Sequence, residues 1–223
     1  MKNRPMIKAF IFDMDGTIVN NITYHHEAWL SFLKKYNKLS NVEDFHAQNH
    51  GTIEEMIVRF FGDDLPEEKV RELGFEKEET YRQLYKDKIE EVAGFSTMLE
   101  KAKENGIKVA LATMGNVDNI DFILDNLKVR EYFDVIIGGD QVNHGKPHPE
   151  IYERVLSNLE VDPEDTLVFE DSQGGVISAQ GAGLKVIGIS TTHHPSDFEA
   201  WDVEYCVADF NEYLEKNHGD FQK

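Results

Sequence analysis

Asp13 and Asp15 stand on either side of Met14 at the end of an apolar run, Phe10-Ile11-Phe12, and Gly16-Thr17 follow them. Side chains of a strand alternate between faces, so these two carboxylates emerge on the same side near its end. Acids in such a place are costly unless a cation or a reaction needs them. Alone, the stretch also reads as an acidic turn closing a strand, since Asp and Gly are ordinary turn residues. Other apolar runs end in complementary groups. Thr113 closes the second, ahead of Met114-Gly115-Asn116; Lys146 lies in the loop after the third; Glu170-Asp171 closes the fourth.

Several carboxylates in one crevice repel each other strongly without a cation. Mg²⁺ answers this, because it binds through one or two carboxylates, water and substrate phosphate oxygens. Asp13 and Asp171 are its natural ligands here, with Glu170 behind them or beside them. A phosphate brought to that ion also needs a positive charge and hydrogen-bond donors. Lys146 and the Thr113 hydroxyl supply them, aided by N–H groups of the Asp15–Thr17 turn, which is the logic of phosphoryl transfer. No serine–histidine or cysteine–histidine arrangement competes, so a carboxylate is the nucleophile. Asp15 can then protonate the leaving oxygen and later deprotonate water. Each group has a plainer reading: Thr113 as a strand end, Lys146 as a solvated loop lysine, Asp171 or Ser172 as a helix cap, Gly174-Gly175 as close helix packing. The joint pattern carries more than any member.

The elements that position these groups follow from periodicity. Buried strands are expected over Ile7–Phe12, Ile107–Thr113, Asp134–Ile137, Leu167–Glu170 and Val186–Ile189, with a weaker one over Tyr205–Val207. Helices are expected between them over Thr97–Lys103, around Ile120–Leu127, over His148–Leu159 with Pro149 in the first turn, and over Gly174–Ala182. This alternation predicts an α/β fold, a parallel-sheet, Rossmann-like three-layer core with helices on both faces. Strand character is missing from residues 20 to 91, where helical stripes cover Tyr24–Tyr36, Ile53–Phe60 and a long charged segment from Pro66 to about Lys88. The expected division is a discontinuous core, 1–19 and 92–223, with a helical insertion at 20–91. The tail after Asn217 reads as disposable.

Composition narrows the partners. The 223 residues hold 23 Lys and Arg against 42 Asp and Glu, a formal charge of −19, which argues against nucleic acid. A single cysteine, Cys206, forms no internal disulfide and sits in an apolar run. No apolar segment is long enough to span a bilayer, and none of signal-peptide length follows Met1–Pro5. The expectation is a cytoplasmic protein, monomeric by default, without membrane or nucleic-acid partners. The adjacent pairs His25-His26 and His193-His194 lack the i, i+4 spacing that sets two zinc ligands on one helix face. His193-His194-Pro195 reads as a lead into a helix.

With these residues in hand, the chain resembles the haloacid dehalogenase superfamily, in its phosphatase and β-phosphoglucomutase-like branch. Asp13-Met14-Asp15-Gly16-Thr17 is similar to the first family motif, Leu111-Ala112-Thr113 to the second, Gly145-Lys146-Pro147 to the third and Glu170-Asp171 to the fourth. The resemblance implies an aspartyl-phosphate on Asp13 and a general acid/base at Asp15, which also gives Mg²⁺ a backbone carbonyl. It implies phosphoryl contacts from Thr113 and Lys146, and a metal site completed by Asp171 with Glu170. It makes the helical insertion a cap that closes over substrate, with Thr17, His25, Lys77, Gly115 and Asn116 as further substrate contacts. Asp15 favours phosphate chemistry over dehalogenation. Where the mutase cap loop carries an arginine, this chain has Glu54, which repels a second phosphate. Tyr24 and Trp29 read as cap core. The expected function is a phosphatase acting on a small phosphorylated metabolite such as a sugar phosphate. A sugar-phosphate mutase is the alternative, and a non-catalytic phosphometabolite binder the reading from another class.

Overall fold

A computed structural model describes residues 7–39, 41–49, 51–217 and 221. In chain order the elements are β1 (Ala9–Phe12), α1 (Ile22–Lys35), α2 (Val42–Gln48), α3 (Ile53–Phe61), α4 (Glu67–Tyr85), α5 (Phe95–Glu104), β2 (Lys108–Ala112) and α6 (Val117–Leu127). They continue with β3 (Val135–Ile137), α7 (Glu150–Leu159), β4 (Thr166–Glu170), α8 (Gln173–Gly181), β5 (Lys185–Ile189), α9 (Pro195–Ala200), β6 (Tyr205–Val207) and α10 (Phe210–Lys216). The chain forms two compact units, Met1–Asn20 with Glu90–Lys223, and Asn21–Ile89.

In the first unit the six strands make one sheet in the order β3-β2-β1-β4-β5-β6, and every pairing is parallel. Order reverses between β1 and β4, where Ala9 faces both Lys108 and Thr166. In an open parallel sheet, ligands bind outside the carboxyl ends of the strands at such a switch point. The runs that read as continuously apolar do so because both faces are covered. Ala9, Ile11, Val168 and Ala110 pack with Tyr152 and Val155 of α7 and Val176 and Ala179 of α8. Phe10, Phe12 and Phe169 point the other way, where Phe12 meets Phe95 of α5 and Phe210 of α10 at ring separations of 5.3 and 5.7 Å. Each of these fully buried rings contributes about 1.5–3 kcal/mol.

In the second unit, Asn21–Ile89, a separate core joins Trp29, Phe32 and Leu33 of α1 to Phe45, to Met56 and Ile57 of α3, and to Val70 and Leu73 of α4. The cap-core reading of Trp29 agrees with its 3% exposure. α3 starts at a capping box, with the Glu55 N–H bonded to the Thr52 hydroxyl at 3.2 Å and the Thr52 N–H to the Glu55 carboxylate at 2.7 Å. Glu54 lies beside it, exposed in the first turn.

Some boundaries move. α4 ends at Tyr85, not Lys88, and α7 begins at Glu150 because Pro149 is its N-cap residue. α2, with Phe45 as its buried apolar residue, and α10 lie beyond the expected set. His194 does lead into a helix: its ring accepts the Ser196 N–H at the N-cap of α9. Met1–Pro5 lies outside the described residues. Of the tail after Asn217 only Phe221 is described, and its ring centroid sits 5.9 Å from that of Phe10, so that residue is part of the packing.

Candidate active site

The predicted strand-end residues meet at the switch point. Asp13 follows β1, and Asp13 N–H donates to the Phe169 carbonyl of β4 at 3.1 Å. Thr113 follows β2 with its N–H on the Ile137 carbonyl of β3 at 3.1 Å. Lys146 reaches in from the loop ahead of α7. Its Nζ donates to Asp13 Oδ1 at 2.7 Å, to Glu170 Oε1 at 2.7 Å and to the Ala112 carbonyl at 2.9 Å. An ammonium has three protons, and all three are used. The loop-lysine reading therefore fails: Lys146 is buried between two carboxylates.

Glu170 is fully buried, and this chain engages both of its oxygens. Oε1 also accepts the Tyr152 hydroxyl at 3.0 Å, while Oε2 accepts N–H groups of Asp171 and Ser172 at 3.0 and 3.1 Å and the Ser172 hydroxyl at 3.1 Å. Gly175 makes this seat possible, since a Cβ there would lie 1.7 Å from Glu170 Oε1. Ser172, in turn, is the N-cap of α8, accepting the Gly175 N–H at 3.1 Å. Tyr152 stands outside the expected site residues. It shares a helix face with Ile151 and Val155, and nothing in the spacing marks its hydroxyl.

Oxygen atoms of Asp13, Glu170 and Asp171 lie within 4.8 Å of one another, all three residues buried. Burial, and then the neighbouring Glu170 charge, push the Asp13 carboxyl up to about 7 against the pull of Lys146. Asp171 is held well above its ordinary value by burial and by the charges of Glu170 and Asp13. Burial alone lowers Lys146, but Asp13 and Glu170 outweigh it and hold the ammonium well above the usual lysine range. Such a site favours a divalent cation: all-oxygen, anionic and short of positive charge. The donor set fits Mg²⁺.

Thr113 is 1% exposed, and its hydroxyl accepts the Gly115 N–H at 3.0 Å. Asn116 caps α6, its side-chain oxygen accepting the Asn119 N–H at 3.0 Å. Asp15 is half-buried in the turn, outside the three-carboxylate group, and its charge adds to the rise at Asp13. Gly16 adopts φ +87°, which glycine tolerates, and a Cβ there would lie 2.1 Å from Asp171 Oδ2. Thr17 directs its hydroxyl at Asp171 Oδ1, 3.4 Å away. The turn N–H groups expected to serve phosphate are partly spent: Gly16 N–H donates to the Val19 carbonyl at 2.8 Å and Thr17 N–H to the Met14 carbonyl at 3.2 Å.

His25 and Lys77 lie in the helical unit. Lys77 is 2% exposed, its Nζ 2.8 Å from Glu78 Oε1, 3.0 Å from His25 Nδ1 and 5.0 Å from the Trp29 ring centroid. The His25 ring stacks on Tyr81 at 3.7 Å.

Comparison with known proteins agrees with this geometry. The haloacid dehalogenase-like hydrolase family matches residues 10–189, and the chain belongs to that family, in the branch with a helical insert that includes CbbY and β-phosphoglucomutase. Among curated relatives, a phosphorylated carbohydrates phosphatase of Thermotoga maritima is 36% identical over 81% of this chain and 84% of that protein. A validoxylamine A 7'-phosphate phosphatase of Streptomyces hygroscopicus subsp. limoneus is 28% identical over 89% and 92%. A CbbY variant from Rhodobacter sphaeroides, solved in complex with xylulose-(1,5)bisphosphate, is 28% identical, with a TM-score of 0.79 over 93% of this chain and 96% of that one. By homology the chain is an enzyme, a haloacid dehalogenase-like phosphatase. No helix among the described residues is long and apolar enough to cross a membrane.

Proposed function

We propose that the protein is a Mg²⁺-dependent phosphatase that hydrolyses a small phosphorylated metabolite, of the sugar-phosphate class, through an aspartyl-phosphate on Asp13. The observation that carries this reading is the Lys146 ammonium 2.7 Å from both Asp13 and Glu170, beside a third buried carboxylate, Asp171. A carboxylate held against an ammonium is a fixed nucleophile, and the remaining acids suit a divalent ion. The phosphatase named for phosphorylated carbohydrates, at 36% identity, supports the substrate class.

In this reading Asp13 attacks phosphorus while Asp15 gives its proton to the departing alcohol oxygen. Asp15, now ionised, takes a proton from the water that attacks the acyl phosphate, which frees Asp13 and releases inorganic phosphate. Thr113 donates its hydroxyl proton to a phosphoryl oxygen, and Lys146 exchanges one of its three present acceptors for another. Glu170 keeps Lys146 in place. Mg²⁺ held by Asp13 and Asp171 would neutralise phosphate charge and fix its approach.

Two features weigh against a bisphosphate-using mutase. The Lys77 charge is already matched by Glu78, and Glu54 places an acid in the first turn of α3. The test is phosphate release from a panel of phosphorylated sugars and related metabolites, with Mg²⁺ and after chelation. Turnover is expected with Mg²⁺ and is lost in D13N; release that persists in D13N refutes the aspartyl-phosphate. Conversion of β-glucose 1-phosphate to glucose 6-phosphate, with a bisphosphate activator and faster than phosphate release, would replace the phosphatase by a mutase.

A further inference from the structure

The loop after β5, Thr191-Thr192-His193, grips two separate parts of the carboxylate site. The Thr191 hydroxyl donates to the Gly16 carbonyl, in the turn that follows Asp13 and Asp15. Thr192 donates to the Asp171 carboxylate at Oδ2, and its oxygen also lies 3.1 Å from the Asp171 carbonyl. His193 Nδ1 lies 3.0 Å from that same carbonyl. Thr192 Oγ1 lies 3.1 Å from the same nitrogen, and because a carbonyl can only accept, the tautomer with its proton on Nδ1 is the one that holds the Asp171 carbonyl. That arrangement sorts the donors: the ring N–H serves the Asp171 backbone, and the single Thr192 proton goes to the carboxylate. The imidazole is itself set edge-on to Trp201 at 4.9 Å, and the Trp201 carbonyl accepts the Gln180 amide of α8 at 2.8 Å.

Asp171 is thus held from several sides. Thr192 takes Oδ2, Thr17 faces Oδ1, and the missing side chain of Gly16 leaves the room in which Oδ2 sits. We propose that Thr191, Thr192 and His193 form a clasp of positioning residues that fixes the Asp171 carboxylate relative to the Gly16 turn in the geometry that receives the divalent ion. The inference rests on the metal reading of Asp13 and Asp171. Groups that orient a ligating carboxylate typically change metal affinity by 10–100-fold when removed. Here the effect follows from freeing one carboxylate among like charges, where repulsion from Asp13 and Glu170 drives it away from the shared site.

The test is Mg²⁺ binding to the chelator-stripped protein by titration calorimetry, alongside thermal melts without metal. In T192V, which keeps the side-chain shape and loses the donor, Mg²⁺ binding is expected to weaken about 10-fold or more, with the metal-free melting temperature little changed. T192S, which restores the hydroxyl, is expected to bind within about threefold of the parent chain. H193A, at an exposed position, is expected to weaken binding several-fold and serves if T192V does not fold. Parent-like Mg²⁺ binding in folded T192V, or in H193A if T192V is unfolded, overturns the clasp while leaving the metal site standing. T192S as weak as T192V overturns it too, because the hydroxyl is then not the cause. A parent chain that binds no Mg²⁺ overturns the metal reading and the clasp with it.

Discussion

Replacing Asp13 by Asn is expected to abolish turnover and, without metal, to stabilise the protein. Burial and the neighbouring acids raise the Asp13 carboxyl from 3.8 to about 7. Its folded pKa exceeds its unfolded one, so the folded chain binds more protons between those values and loses stability as pH rises through that window. Three pKa units at about 1.36 kcal/mol each give a cost of roughly 4 kcal/mol for carrying an ionised Asp13 at pH 8. Asn is neutral at every pH and still offers Lys146 an oxygen. D13N is therefore expected to be more stable than the parent by roughly 4 kcal/mol at pH 8, a rise in Tm of about 10 °C for a chain of this size. The difference fades toward pH 4, where both side chains are uncharged. Calorimetric melts in chelator at the two pH values measure it. Mg²⁺ at a hundredfold excess over Kd is expected to narrow the gap to roughly 1 kcal/mol, since about 2.7 kcal/mol accrues there to the chain that binds the ion. D13N melting at or below the parent at pH 8 without metal refutes the electrostatic account.

Lys146→Met removes the ammonium and strands Asp13 and Glu170 in a buried site. A loss of about 3–5 kcal/mol is expected by urea unfolding, with no measurable phosphate release. Gly175→Ala drives a Cβ into Glu170, 1.7 Å from Oε1, with no flexible tip to yield because both Glu170 oxygens are bonded. A loss of about 1–3 kcal/mol and a fall in kcat are expected in unfolding and steady-state measurements.

Much of the candidate site was legible in the chain because a parallel sheet buried on both faces leaves unbroken apolar runs, and the polar side chains that gather there sit where those runs stop. Phe12, Ala112 and Glu170 end their strands within one residue of Asp13, Thr113 and Asp171. Groups whose role is defined by another element were not legible. Glu170 read as a metal ligand or part of a helix start, and it does lie in the buried three-carboxylate group, but the sharing of its oxygens among Lys146, Tyr152 and Ser172 is encoded by no local spacing. Tyr152 hides in an ordinary amphipathic helix. His193 looked like part of the approach to α9, and His194 does serve it, but Thr192 and His193 turn back to Asp171 across the sheet end. α2 escaped because a seven-residue helix with Phe45 as its buried apolar anchor shows no period.

The place of β1 in the sheet has a consequence for how the chain is made. Of the six strands this one is synthesised first, yet it lies in the middle, between β2 and β4, and its Ala9 pairs with Lys108 on one side and Thr166 on the other. Until the ribosome has delivered residues through Glu170, β1 keeps an open apolar edge, a species prone to aggregation in proteins dominated by long-range strand pairing. The helical unit encoded in between contains its own core and can mature during that interval. Asp13 emerges early and waits for Asp171, so the three-carboxylate group comes together only when β4 closes the gap.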